Sequence, residues 1–392
     1  MTLLTRSQDV AAFCARAKTD PFVTIDTEFL RESTYWPKLC LVQLGRREEA
    51  VAIDPLAEDI DLTPLWKLLA DPGVLKVFHA CKQDMELFLK VSGHLPTPVF
   101  DTQIAAMMLG YGEQVGYDNL IQRLLHRQID KSSQFSDWSL RPLEGQQIAY
   151  ALGDVTHLYE AYEVLRDELA EKGRTQWVAE EMAPLMTVDL YEVNPAEAWQ
   201  RLKIKNRTKP FLAALKALAQ WRERFAQHRD LPRSRVLKDD TLIDLAMRRP
   251  KTPEAMVKLR GVGEGLAKGK TGAAILTAIA QAETMPADDV PVLPPKPGHV
   301  PGATAKAELL RTLLKICSEQ AEIAPRALAT AADLEALSRG KREGLRPLTG
   351  WRKDLFGDQA LDLMEGKVWL GLKDGELAAL SPEQVITDLD KA

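Results

Sequence analysis

The sequence predicts an α/β domain in its first half and all-helical modules in its second. Up to about residue 195, short apolar β-type runs alternate with segments of helical period, the order from which a mixed sheet flanked by helices is built. Past that point β signals cease and apolar residues recur at helical spacing. Charge divides the chain in the same way. Residues 201–270 hold 19 Lys and Arg against 7 Asp and Glu, a balance of +12 in a chain of formal charge −5, so the remainder carries −17. An acidic part joined to a basic part points to a polyanionic partner, with a solvated set of salt-laced helices as the alternative.

Taken in order, "MTLLTRSQDVAAFCARAKTD" reads as a short strand and a helix. "FVTIDTEFL" (Phe22–Leu30), "LCLVQLG" and "AVAIDP" are three β runs separated by turn residues. "LTPLWKLLAD" has helical spacing, "VLKVFHA" is an apolar strand, and "KQDMELFLKVSG" is a helix stopped at Gly93. "PVFDT" is a brief strand entering the helix "QIAAMMLGYG"; "YDNLIQRLLHRQ" and a stretch from about Leu143 to about Lys172 are helical.

The second half contains helices in "FLAALKALAQWRERFAQHRD", "LPRSRVLKDDTLIDLAMRRP" and "TPEAMVKLRGVGEG", then proline-dense "MPADDVPVLPPKPGHVPG", which reads as a linker. A further helical unit follows. Leu231–Ala246 and Ala324–Leu337 form a weak repeat, Pro-Arg ahead of an aliphatic run, an acidic turn and a helix. It reads as two related modules or as chance likeness of two helix starts. The expected domains are 1–195, 205–284 and 304–392, with 285–303 as the linker.

The 392 residues suit about two or three domains. No run approaches the roughly 20 apolar residues of a membrane span. The N-terminus carries Asp9 and lacks an apolar core with a cleavage site, so it does not read as a signal peptide. Cys14, Cys40, Cys81 and Cys317 are scattered, with no pair at metal-ligand spacing. The expectation is a cytoplasmic protein with reduced thiols and no organic cofactor.

Asp26 and Glu28 lie two apart in a core strand, hence on one face, where two carboxylates repel and lose hydration. Asp84 follows a strand near a helix start. Tyr150 and Asp154 are four apart on a helix and share a face. Acids converging from three segments call for positive charge, and hard divalent cations with oxygen ligands supply it. A pair of them, about 3.5–4 Å apart, clamps the oxygens of a phosphoryl transfer. Singly, each residue also reads as an edge charge, a helix cap or a core tyrosine.

"TIDTEF", "VFHACKQDMELF" and "QIAYALGDVTHL" resemble the three exonuclease motifs of the DEDD superfamily, and Tyr150 matches its tyrosine-bearing subgroup. "TYWPKLCLVQLG", "FDTQIAAMMLG" and "DKSSQFSDWSLRPL" resemble the ribonuclease D family, and "WRERFAQHRDLPRSRVLKDDTLIDLAMRRP" resembles an HRDC domain. The resemblance weakens after about residue 303. It implies a ribonuclease H-like α/β exonuclease domain followed by two all-α HRDC-type domains, the second divergent. It further implies a 3′→5′ exoribonuclease using two Mg²⁺ or Mn²⁺ ions. Asp26, Glu28 and Asp154 would ligate the water-activating ion, Asp26 would bridge to the second, Asp84 would support that second ion, and Tyr150 would orient the attacking water. RNA, in particular transfer-RNA precursors, is the implied partner, and a monomer is expected.

Phe29 and Leu30 read either as core or as contacts to the terminal nucleotide. Trp138 and Arg141 read either as packing or as substrate contacts, and Lys268 and Lys270 as backbone contacts beside a tight turn in "GVGEGLAKGK". Asp101 reads as a helix cap and His79 as a satisfied core histidine. A DNA exonuclease on the same fold and a binding protein with a silent nuclease fold are the alternatives.

Overall fold

The carboxylate-bearing strand lies inside a mixed sheet, with neighbours on both edges. A computed structural model describes residues 2–293, 298–373 and 375–380. Its strands are β1 (Thr2–Leu4), β2 (Phe22–Leu30), β3 (Lys38–Arg46), β4 (Glu49–Ile53), β5 (Leu75–Phe78) and β6 (Val99–Asp101), in spatial order β1-β4-β3-β2-β5-β6. β2, β3 and β4 form an antiparallel meander; β5 joins β2 in parallel, β6 joins β5 and β1 joins β4. The helices of this part are α1 (Ser7–Ala17), α2 (Thr63–Leu69), α3 (Lys82–Ser92), α4 (Thr102–Met108), α5 (Tyr117–Leu125), α6 (Gly145–Glu171) and α7 (Thr175–Met182). Each strand and helix expected before residue 172 is present; α7 is additional.

Alternation along β2 sends its two faces to different layers. Val23 and Ile25 join Val42, Leu44, Val51 and Ile53 in a core closed by Phe13 of α1, Leu65 and Leu68 of α2, and Met85 and Phe88 of α3. Thr24, Asp26 and Glu28 occupy the opposite face, which α6 crosses. That helix sits very close to the sheet. A Cβ on Gly45 would lie 2.4 Å from Thr24 Oγ1 and 2.9 Å from the Val155 carbonyl oxygen, so glycine alone permits the approach. The Thr24 hydroxyl donates to that carbonyl at 2.7 Å.

Beyond α7, short 3-10 turns carry the chain away from the sheet. Tyr191 still belongs to the first core, whereas Ala198 and Leu202 belong to the next. The basic unit comprises α8 (Lys209–Arg229), α9 (Arg233–Val236), α10 (Asp239–Arg248), α11 (Pro253–Val257), α12 (Glu264–Lys268) and α13 (Lys270–Glu283), closed around its own apolar core. It meets the sheet domain through the loop after β2. The backbone N–H groups of Tyr35 and Trp36 each donate to Asp230 Oδ1 at 3.0 Å, and the Tyr35 hydroxyl donates to buried Glu223, which Arg233 also grips.

The last unit comprises α14 (Ala303–Gln320), α15 (Pro325–Leu328), α16 (Ala331–Ser338), α17 (Gly350–Arg352), a π turn at Lys353–Gly357, and α18 (Asp358–Glu365). It is not all-helical: Trp369–Lys373 (β7) and Glu376–Leu380 (β8) pair as an antiparallel hairpin. Alternation over five residues with a turn glycine at 375 was too short a signal beside the preceding helical run. Parts of the expected linker (294–297) and of the last unit (381–392) lie outside the described residues, as do residues 1 and 374.

This unit shares one continuous core with the sheet domain. Leu310, Leu313, Leu328, Leu337, Trp351 and Phe356 cluster with Ala105, Met108, Leu165 and Val178. Buried Arg174 donates to the carbonyl oxygens of Met108, Ala321 and Glu322, and Trp177 stacks on Trp351 with centroids 4.5 Å apart. Removal of a buried aromatic side chain costs about 3–5 kcal/mol. The Trp351→Ala variant is therefore expected to lose about 3 kcal/mol in urea unfolding, with the sheet domain and the last unit unfolding in one shared transition.

Candidate active site

Strand and helix geometry bring the sequence-predicted acids together. Asp26 and Glu28 project from β2 toward α6, and Asp154 faces them from α6 because the Thr24–Val155 contact sets that helix's height and rotation. One ligand oxygen from each of the three carboxylates lies within 4.8 Å of the others. Tyr150 stands one turn before Asp154 on α6, and both line the same cavity. Asp84, in the first turn of α3, is buried and accepts a hydrogen bond from the Thr27 hydroxyl. A β-bulge between Glu28 and Phe29 ends the regular pairing beside the acids.

Asp101 prepares the Asp84 position. Its carboxylate accepts from Gln103 N, capping α4, and from Ala80 N and Cys81 N, at 2.8–2.9 Å. It thereby holds the turn in which Ala80 takes a left-handed φ of 57° and the chain enters α3.

The electrostatics match a cation site. Burial lifts the Asp26 carboxyl to about 6, and burial followed by the neighbouring acids lifts Asp84 and Asp154 to about 8 and Glu28 to about 10. Among the described residues no Lys or Arg charge offsets these shifts. Burial and the charges of Asp154, Glu28 and Asp26 also raise Tyr150, so at neutral pH it is a hydroxyl donor rather than a base. All-oxygen donors, surplus negative charge and no side-chain counter-ion suit a hard divalent ion.

A cavity of about 180 Å³ opens beside these groups, lined by Asp26, His79, Tyr117, Tyr150, Asp154 and Leu158. Sequence reasoning missed Tyr117 as a site residue. Its hydroxyl donates to the Asp154 backbone carbonyl, and its ring is 5.4 Å from that of His79. Only an aromatic at the start of α5 hinted at it. His79 is satisfied, bonded to Thr102 Oγ1 at 2.9 Å and Val115 O at 3.1 Å, yet it also walls the cavity. A larger cleft of about 950 Å³, lined by Trp36, Glu86, Lys90 and Glu192, has no comparable convergence of ligand atoms.

The remaining candidates separate. Arg141 donates to Asp54 through Nε and Nη2 and to the carbonyls of Trp138, Leu140 and Cys40, so its guanidinium is committed to structure. Trp138 is 2% exposed in a core cluster against which Tyr150 packs, the two rings 6.2 Å apart. Phe29 and Leu30 are half-buried at the bulge. Lys268 pairs with Glu264 at 3.0 Å, and exposed Lys270 begins α13; neither lines the cavity.

Fold and site together define a 3′→5′ exonuclease, and a family model described as "3'-5' exonuclease" matches residues 1–170, with an HRDC domain model matching 211–279. Ribonuclease D of Granulibacter bethesdensis is 47% identical over 96% of this chain and 95% of its own length, and that of Gluconacetobacter diazotrophicus is 46% identical over 94% of each. The crystal structure of Escherichia coli RNase D, described as an exoribonuclease involved in structured RNA processing, superposes with a TM-score of 0.79 at 29% identity, covering 93% of this chain and 98% of that one. The chain belongs to the ribonuclease D family and is a nuclease hydrolase. Among the described residues no helix is long and apolar enough to cross a membrane, and the four cysteines are free and buried.

A carboxyl whose pKa is higher in the folded protein than in the unfolded chain, where it lies near roughly 4, holds its proton more tightly when folded. Its stabilising contribution is complete below that value and lost as pH rises through the folded pKa. Metal-free protein in EDTA is thus expected to lose thermal stability as pH is raised through about 6 and about 8, the values of Asp26 and of Asp84 and Asp154. Saturating Mg²⁺ should flatten the decline. A level metal-free melting profile would contradict the electrostatic account.

Proposed function

We propose that this chain shortens RNA from its 3′ end one nucleotide at a time by a two-metal mechanism, releasing nucleoside 5′-monophosphates, with transfer-RNA precursors among its substrates. The observation carrying this is the convergence of Asp26, Glu28 and Asp154 oxygens within 4.8 Å. Asp26, Glu28, Asp84 and Asp154 would hold two divalent ions, Mg²⁺ or Mn²⁺, which when bound supply an activated water and stabilise the leaving oxygen. Tyr150, held as a hydroxyl, orients the attacking oxygen through a hydrogen bond. Thr27 fixes Asp84 from behind, and Tyr117 fixes the turn of α6 that carries Asp154. The half-buried side chains of Phe29 and Leu30, at the β-bulge beside the acids, are proposed as contacts to the terminal nucleotide.

The E. coli relative's association with structured RNA, read with this chain's charge distribution, supports the substrate class. Transfer-RNA precursors combine a folded body with a single-stranded 3′ end, and only the end need reach a cavity of about 180 Å³. The basic unit would hold the body. Between α8 and α13 it carries a groove of about 620 Å³ lined by Trp221, Phe225, Arg224 and His228, with Gln220 and Gln281 at its sides. Partly exposed aromatics beside a cation and amides are the chemistry that stacks and borders bases. We assign RNA holding to this groove ahead of Lys268 and Lys270. The protein is taken to act as a cytoplasmic monomer.

We also read the last unit as a divergent second HRDC-like module. The repeat seen in sequence recurs in backbone form. α9 and α15 are four-residue helices, each ending on an extended residue, Leu237 or Ala329, before α10 or α16 begins.

The test is an assay on matched RNA and DNA with 3′ overhangs. Wild-type protein with Mg²⁺ should release monophosphates from RNA and stop in EDTA. Asp26→Asn and Asp154→Asn are expected to fall by at least about 10³-fold and Tyr150→Phe by roughly 10²-fold, the scale of lost transition-state charge stabilisation and lost proton positioning. Wild-type rates in the aspartate variants, or preference for DNA, would refute the reading.

The groove has its own signature. Stacking is worth about 1–3 kcal/mol per base, so Trp221→Ala should raise KM for RNA by roughly 5- to 100-fold with kcat unchanged. It should also leave the salt dependence of binding alone, whereas Arg224→Ala should flatten that dependence by about one phosphate contact.

A further inference from the structure

Gln43 lies in the middle of β3 with no exposed surface, and neither Nε2 nor Oε1 of its amide has a hydrogen-bond partner. A buried amide without partners weakens a fold, and an apolar residue of the same size would serve packing better. The strand register shows what surrounds it. Gln43 is directly opposite Asp26 on β2 and opposite Ala52 on β4. Directly opposed residues point to the same face with Cβ atoms about 4.5–5.5 Å apart, and this face lies under α6. Ala52 offers only a methyl group. Thr24, the next polar residue on that face of β2, donates its hydroxyl to Val155. Asp26 is the polar residue directly opposed to the amide, with Glu28 two residues further along the same face of β2. A buried amide without a partner thus lies directly across from a carboxylate of the candidate site.

We propose that Gln43 is a positioning residue for the cation site: its amide N–H group fixes the Asp26 carboxylate in the orientation that presents an oxygen to the ion. The proposal rests on the metal-binding role of Asp26 argued above. A carboxylate that ligates a cation is ionised, and an amide donating to it makes a charge-assisted bond stronger than a neutral one. Partners behind ligating side chains change metal affinity by about 10- to 100-fold. The amide would accordingly hold the Asp26 carboxylate in place when an ion is bound.

The experiment measures Mn²⁺ binding by calorimetry and metal-free melting for wild type, Gln43→Met and Asp26→Asn. Methionine keeps the volume and removes both amide atoms. Gln43→Met is expected to melt no lower than wild type without metal, to bind Mn²⁺ about 10- to 100-fold more weakly, and to lose kcat with KM for RNA unchanged. Wild-type Mn²⁺ affinity in Gln43→Met overturns the proposal while the cation site stands. Unaltered Mn²⁺ binding in Asp26→Asn overturns the site itself and the proposal with it. If Gln43→Met does not fold, the wild-type side-chain amide resonance of Gln43 decides: a shift on adding Mg²⁺ is expected, and an unmoved resonance overturns the assignment.

Discussion

Everything at the candidate site depends on how closely α6 lies against β2 and β3. The Thr24 hydroxyl bonded to the Val155 carbonyl, over a glycine that leaves no room for a Cβ, fixes the height and rotation of that helix. Tyr150 and Asp154 lie within the same helix, so a rotation by one residue would turn them by about 100° away from the strand. Packing the helix here forces three carboxylates into a space where they repel. The fold tolerates this because the rest of the sheet supplies large apolar layers on the other face. Cations bound among the acids would recover the stability lost there, so folding and the proposed chemistry would draw on the same contact.

The two helical units relate to that sheet in different ways. The basic unit has its own core and touches the sheet domain through a polar junction, in which Tyr35, Glu223, Arg233 and Asp230 satisfy one another. Among the described residues the last unit has no separate core. Its helices complete an apolar cluster begun by α4, α6 and α7, and Arg174 ties the two by three carbonyl bonds. Because α6 belongs to both this cluster and the catalytic face, the last unit braces the helix that carries Tyr150 and Asp154. Its contribution to the active site is mechanical before any contact with nucleic acid is considered.

Much of the site was legible because its chemistry is local. Asp26 and Glu28 share a face by strand periodicity, Tyr150 and Asp154 by helix periodicity, and Gly93 marks a helix end where the backbone takes a φ of 78°. Substrate contacts were less legible, since a sequence does not say which atoms a long side chain already serves. Arg141 in "DWSLRPL" reads either as packing or as a substrate contact, and in the structure all its donors go to Asp54 and three carbonyls. Tyr117 and Gln43 went unread for the converse reason. Each reaches the site through a partner distant in the chain, Asp154 for the first and the cross-strand Asp26 for the second.

By itself, the sequence determined the alternation of strands and helices up to residue 172, the segregation of charge, and the identity of the acids and tyrosine, because periodicity and residue chemistry act over a few neighbours. Tertiary structure alone decided that the last unit shares the sheet domain's core, that it ends in a hairpin, and which polar side chains are spent on structure. Those outcomes turn on burial and on hydrogen-bond partners tens to hundreds of residues apart, and a local pattern carries no record of them.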